Sequence, residues 1–241
     1  MSYCLDLPHW MQIAGKWLYD WQALVAGGLA IIAAFIGARA IYRQTKQAAQ
    51  IERDQLSRHH RAVRATLPLT LSGICHAAIA MLKALSEAQR TIAEPSADGL
   101  AGNFDAPSPP TEHISELRQV IESTDDELVL APLLEIIREA QTLWSRVGAL
   151  NDQVEMKRMA APAQQIDEYM LQSAQIYALA EGMFDYARER CETGPASIGW
   201  NRVFTALFIA RFEQHTHPNL FAIIQRRSEN LEYFWPAINE R

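Results

Sequence analysis

The sequence predicts an all-α protein. One amino-terminal transmembrane helix continues into a basic juxtamembrane helix and then into a cytoplasmic bundle of five or six helices. Three observations carry this reading. Trp21 to Ala38 hold no charged residue, and seven basic residues follow closely: Arg39, Arg43, Lys46, Arg53, Arg58, Arg61 and Arg64. In the remaining chain, apolar residues recur at spacings of three and four, and no segment alternates convincingly as a strand would.

The membrane span comes first. A helix rises ~1.5 Å per residue, so Trp21–Ala38 covers about 27 Å, and extension through Tyr42 exceeds the ~30 Å of hydrocarbon. Trp17, Tyr19 and Trp21 precede the stretch and Tyr42 follows it, as expected of amphipathic rings at the two headgroup levels. A cleaved signal peptide would need a positive amino-terminal region, yet residues 1–20 carry Lys16 against Asp6 and Asp20. The expected organisation is a short extracytoplasmic segment (1–20), the span (21–42), the juxtamembrane helix (43–66) and the helical cytoplasmic domain (67–241).

Charge sets the expected orientation. The chain as a whole carries −6, residues 39–64 carry +5 and residues 1–20 carry −1, which leaves −10 for residues 65–241. The positive-inside rule then keeps the carboxy-terminal domain in the cytoplasm of a bacterial inner membrane and the amino terminus outside. Arg39, Arg43 and Lys46 are the candidate contacts to anionic lipid headgroups. The acidic body is a poor match to nucleic acid, which needs clustered cations. Cys4, Cys75 and Cys191 form no disulfide framework, and the latter two fall on the reducing side.

Each later element has its own signal. No Gly or Pro interrupts Arg39–Thr66, so the span is expected to continue helical to about Thr66, with Tyr42, Ala49, Leu56 and Val63 forming a weak heptad stripe. Pro68 is expected to kink or restart the helix before it runs to about Thr91. Residues 65–82 are uncharged and raise a second span as an alternative, but Thr66, Pro68, Thr70, Ser72, Gly73 and His76 favour a buried helix of the body. Residues 94–111 read as a flexible loop rich in Pro, Gly and Ser. Glu112–Ser123 is a short amphipathic helix. Thr124 and Glu127 resemble a capping box for a helix to about Asn151 that buries Leu128, Leu134, Ile137, Leu143, Val147 and Leu150. Ala163–Arg190 has a wide apolar face. Trp200–Phe212 turns Val203, Phe204, Leu207 and Phe208 inward, and Asn219 to about Trp235 makes the last helix.

Chemistry-bearing residues are sparse. Cys75 and His76 are neighbours and diverge by about 100° on a helix, which suits a core cysteine beside an independent histidine. His59 and His60 read as solvated, and His215 and His217 as part of a turn before Pro218. The acidic run Glu122, Asp125, Asp126 and Glu127 lacks calcium-loop spacing and fits a helix start. Glu181 and Asp185 are expected to pair with Arg188 across helical turns, with Glu168 on the same helix. There is no Gly-rich phosphate loop, nucleophile elbow or His-Glu-x-x-His. No catalytic residue, cofactor or metal ligand is therefore assigned.

The span carries one specific interaction signal. Ala23, Ala26, Ala30, Ala33, Gly37 and Ala40 recur at three and four, a small-residue face that allows close helix approach in lipid and hence homo-oligomers. The segments Asp20–Gly27, Arg64–Ser72, Phe184–Arg188 and Ile224–Arg227 resemble those of a group of proteobacterial single-pass inner-membrane proteins without an assigned activity. The resemblance implies an inner-membrane location and no site residues. The combined expectation is a membrane-anchored interaction or scaffold protein that binds a protein partner; the alternative is a membrane-tethered enzyme of unrecognised class.

Overall fold

The computed structural model describes residues 9–93, 105–155, 163–231 and 233–235. The fold is all-α. The helices are α1 (His9–Ala93), α2 (Thr111–Ser123), α3 (Glu127–Glu155), α4 (Ala163–Gly182), the single turn α5 (Phe184–Ala187), α6 (Trp200–Ala210) and α7 (Pro218–Asn230). Two short strands, β1 (Ile198–Gly199) and β2 (Tyr233–Trp235), pair antiparallel, with Ile198 opposite Trp235. The chain divides into two compact units, residues 1–57 and 58–241.

In the first unit, α1 is exposed wherever its side chains are described, including Leu24, Ile32, Phe35 and Ile36. Near its amino terminus α1 is long and apolar enough to cross a membrane, with a window of mean hydropathy 2.1 of which nothing is buried.

The second unit is built around α4. Ile166, Met170, Leu171, Ile176, Ala178 and Leu179 are buried, and they point in all directions round the helix axis. A helix apolar on every side must be enclosed, and α4 packs against α3, α6 and α7. The later part of α1 closes the remaining side: the Ser173 hydroxyl donates to the Ala78 carbonyl at 2.8 Å. Along α1, Leu67, Leu71, Ile74, Ala78, Met81, Leu82 and Leu85 form the buried stripe at spacing three and four. Each such Leu or Ile contributes roughly 1.5–3 kcal/mol when taken from water.

Several expectations change. Pro68 does not end α1, which runs through it. Proline removes only one backbone bond, and Leu67 and Leu71, both fully buried, hold the turn in place. The second unit takes in the end of the expected juxtamembrane helix, because Val63 is buried and Arg64 donates to the carbonyls of Tyr186 (2.6 Å) and Cys191 (2.7 Å). Arg64 also stacks on the Tyr186 ring at 4.0 Å. The cap of α3 is Asp126, whose Oδ1 accepts from the Leu128 amide at 2.9 Å, while Thr124 Oγ1 falls two residues too early and accepts from the Asp126 amide. Leu134 is 53% exposed; Leu133, Ile136 and Ala140 face the core instead. On α6, Phe208 is 82% exposed and Phe204 lies at the edge, because Ala206 and Ala210 take the inward positions beside Val203 and Leu207. The last helix stops at Asn230, and the chain then returns as β2, whose Trp235 is buried. Residues 94–104 of the expected loop and the Leu150 side chain lie outside the described residues.

One close approach is dictated by a proline. Pro132 lies inside α3 and has no N–H, so the Leu128 carbonyl four residues earlier has no helical donor. Gly194 lies against that carbonyl: a Cβ there would sit 2.0 Å from the Leu128 oxygen. Gly194→Ala is expected to cost about 2 kcal/mol, within the ~1–3 kcal/mol of overpacking. Gly148→Ala, on the open face of α3 with nothing within 4 Å, is expected to be neutral or stabilising. Thermal unfolding of the two variants in parallel checks the contrast; equal effects would remove the close-packing argument.

Candidate functional site

The residues singled out in the sequence lie on α1. Ala26, Ala30, Ala33, Gly37 and Ala40 are exposed, and a Cβ added at Gly37 would meet nothing within 4 Å. The Ala23 side chain lies outside the described residues. Arg39, Arg43 and Lys46 are likewise exposed. The structure thus places these residues on a helix surface that no other part of its compact unit covers.

The second unit contains a different feature, a cavity of about 660 Å³ between the end of α1, the start of α4 and the turn joining α6 to α7. Its polar wall is formed by Ser86, Gln89, Asp167 and His217, and its apolar wall by Ile166, Ala210 and Phe212. Asp167 follows Ile166 on the enclosed helix α4, so its carboxyl is drawn into the interior and is 1% exposed. Gln89 Nε2 donates to Oδ1 at 3.0 Å. The other oxygen, Oδ2, is buried and meets no donor among the described residues. A buried carboxylate oxygen in that state is costly. Burial accordingly pushes the Asp167 carboxyl above the usual range, with Gln89 opposing the shift.

The Glu213 carbonyl accepts from the Thr216 and His217 amides at 3.0 and 3.1 Å, and the Thr216 hydroxyl lies 2.9 Å from it. His217 Nδ1 is 2.9 Å from the Thr216 hydroxyl and Nε2 is 2.9 Å from the Ser86 hydroxyl, so a neutral ring accepts from one of them and donates to the other. Burial lowers the His217 pKa, which keeps the ring neutral, and Phe212 stacks on it with ring centroids 4.3 Å apart. The unmet acceptor at the cavity is therefore Asp167 Oδ2, which calls for a donor.

A serine hydrogen-bonded to a neutral histidine also has the form of a nucleophile and its base. Acyl transfer needs donors for the developing oxyanion as well, and the amides around Ser86 are engaged within α1. The arrangement suits binding better than catalysis.

The remaining candidates resolve as structure. Cys75 is buried, with its thiol pushed up to about 12 by burial, so it is no ready nucleophile. His76 is exposed. His60 is packed, not solvated: its ring contacts Ser123 Oγ and Tyr186 Oη, each at 3.3 Å. His215 is exposed beside Glu213, while His217 belongs to the cavity. Glu181 pairs with Arg202 and Asp185 with Arg190, not with Arg188, which lies over the Phe184 ring. Among the described residues no three His, Cys, Asp or Glu side chains gather as a metal site.

Sequence reasoning missed Asp167, Ser86 and Gln89. The available signal was Asp167 itself, a charge beside Ile166 on a helix with a wide apolar face. Comparison with protein-family models, curated proteins and solved structures finds no match to this chain.

The raised Asp167 pKa has a stability consequence with a definite sign. The folded state favours the protonated form, so the ionised carboxyl lowers stability at neutral pH. That loss disappears as pH falls through the raised folded-state value toward the ordinary carboxylate value of about 4. Asp167→Asn, neutral at every pH, is expected to stabilise the protein by about 1 kcal/mol at pH 7, the gain fading as pH approaches 4. Thermal unfolding of both forms across this range measures it. A variant destabilised at pH 7, or a gain that persists unchanged at acid pH, would contradict the assignment.

Proposed function

We propose that this chain is a single-pass inner-membrane protein, with its amino terminus outside and a cytoplasmic helical domain that serves as an interaction or scaffold module. The observation that carries the reading is the uncharged, uncovered stretch of α1 from Trp21 to Ala38. In water such a surface is unfavourable over its whole length, whereas in lipid its backbone is satisfied internally and its side chains match the solvent. The flanking Trp17, Trp21 and Tyr42 support the same placement, and Arg39, Arg43 and Lys46 support contact with anionic headgroups on the cytoplasmic side. The −10 of residues 65–241 supports a body held away from that surface. The resemblance to proteobacterial single-pass proteins points the same way.

The small-residue face supports homo-oligomers formed through the span. Lipid tails are as apolar as the helix, so association there depends on close packing, which Ala and Gly permit.

Two measurements test this reading. A carboxy-terminal fusion to a reporter active only in the cytoplasm is expected to be active, and the same fusion to a periplasm-only reporter silent; the reverse pattern would invert the orientation. In a membrane helix-association assay, Ala30→Leu with Ala33→Leu is expected to reduce self-association several-fold. An unchanged signal would make the stripe incidental.

A further inference from the structure

We propose that the cavity bounded by Ser86, Asp167 and His217 binds a small amphoteric amine, with its protonated nitrogen on the Asp167 carboxylate and its acidic group at the cavity mouth. This goes beyond the scaffold reading and does not depend on it.

Asp167 is 1% exposed, lines the cavity and keeps Oδ2 without a donor among the described residues. The neighbouring groups do not meet that demand: Gln89 serves Oδ1, and the Ser86 hydroxyl is engaged with His217 Nε2 at 2.9 Å. A ligand that enters must bring N–H donors, and an ammonium group carries three together with the compensating charge. A bound cation also opposes the effect of burial that raises the Asp167 pKa, so binding and ionisation favour each other.

The mouth of the cavity has the opposite character. Arg90 and Arg211 line it, with Arg90 also paired to Glu87. Arg211 sits at φ 63°, the left-handed cap of α6, and is exposed there. Pro218 and Asn219 begin the 13-residue helix α7, whose first amides have no partner within the helix and whose dipole favours an anion. An acid group at the mouth and an amine at the floor suit an amino-acid-like zwitterion. Between them, Phe212 and Ile166 offer apolar surface for a side chain. The volume lies within the ~300–1,000 Å³ usual for small-molecule sites.

Calorimetry on the full-length protein in lipid nanodiscs tests the proposal, with empty nanodiscs subtracted. Three probes share one skeleton: phenethylamine (amine only), L-phenylalanine (amine and acid) and 3-phenylpropionate (acid only). Saturable binding is expected for the two amines, tighter for L-phenylalanine, and none for the acid. Asp167→Asn is expected to weaken both amines about tenfold or more, the scale of a charged hydrogen bond. Because that variant alters the interior, Asn219→Trp at the exposed mouth provides a second obstruction and is expected to weaken both amines several-fold. Binding of the acid as tight as that of the amines, no binding by any probe, or unchanged amine binding in both variants would overturn the proposal.

Discussion

Enclosure of α4 is the constraint from which the second unit follows. A helix covered on all sides cannot leave a polar atom to water, so every polar side chain on it must be answered by a neighbour. Ser173 is answered by the Ala78 carbonyl, which ties α4 to α1. Gln172 donates to Glu139 at 2.7 Å, which ties it to α3. Glu168 and Arg227 close the side facing α7 at 2.7 Å. These bonds fix the register of the surrounding helices more narrowly than Leu and Ile contacts can, since apolar packing tolerates sliding and a hydrogen bond does not. Asp167 is the exception, answered on one oxygen only, and it borders the cavity of about 660 Å³.

The same accounting separates the two parts of α1. From Val63 onward one apolar face is matched by protein, while Leu69 on the other side stays 75% exposed; in the first unit the apolar residues are exposed wherever described. Hydrophobic surface is retained where something covers it, and for an uncharged stretch of helical length the natural cover is hydrocarbon. One continuous helix thus carries two apolar stretches, one covered by protein and one long and apolar enough to cross a membrane, with a charged stretch between them.

Much of this was legible in the sequence, and what was not has physical causes. The all-α class followed from periodicity because three-and-four spacing is set by backbone geometry, although the expected Ala163–Arg190 helix is broken after Gly182. Which face turns inward was harder where both faces are apolar. On α6, Phe204 and Phe208 outrank Ala206 and Ala210 in hydrophobicity, yet the alanines are buried because close packing against α4 has room for small residues. The α3 cap fell on Asp126 and not Thr124, since several capping residues stand in a row and only one has the required distance to a free amide. The β1–β2 ribbon is too short for alternation to register. The cavity was invisible because Ser86, Gln89, Asp167 and His217 come from three separated segments, and no local spacing joins them.

Hydrogen exchange along the full-length protein in lipid nanodiscs tests the central claim most directly, because it reads lipid cover and protein cover in one experiment. The account predicts slow exchange in residues 21–42 and in α4, for different reasons, with fast exchange in residues 43–57 between them. Exchange in residues 21–42 as fast as in 43–57 would contradict it, since a helix in hydrocarbon has no water to exchange with.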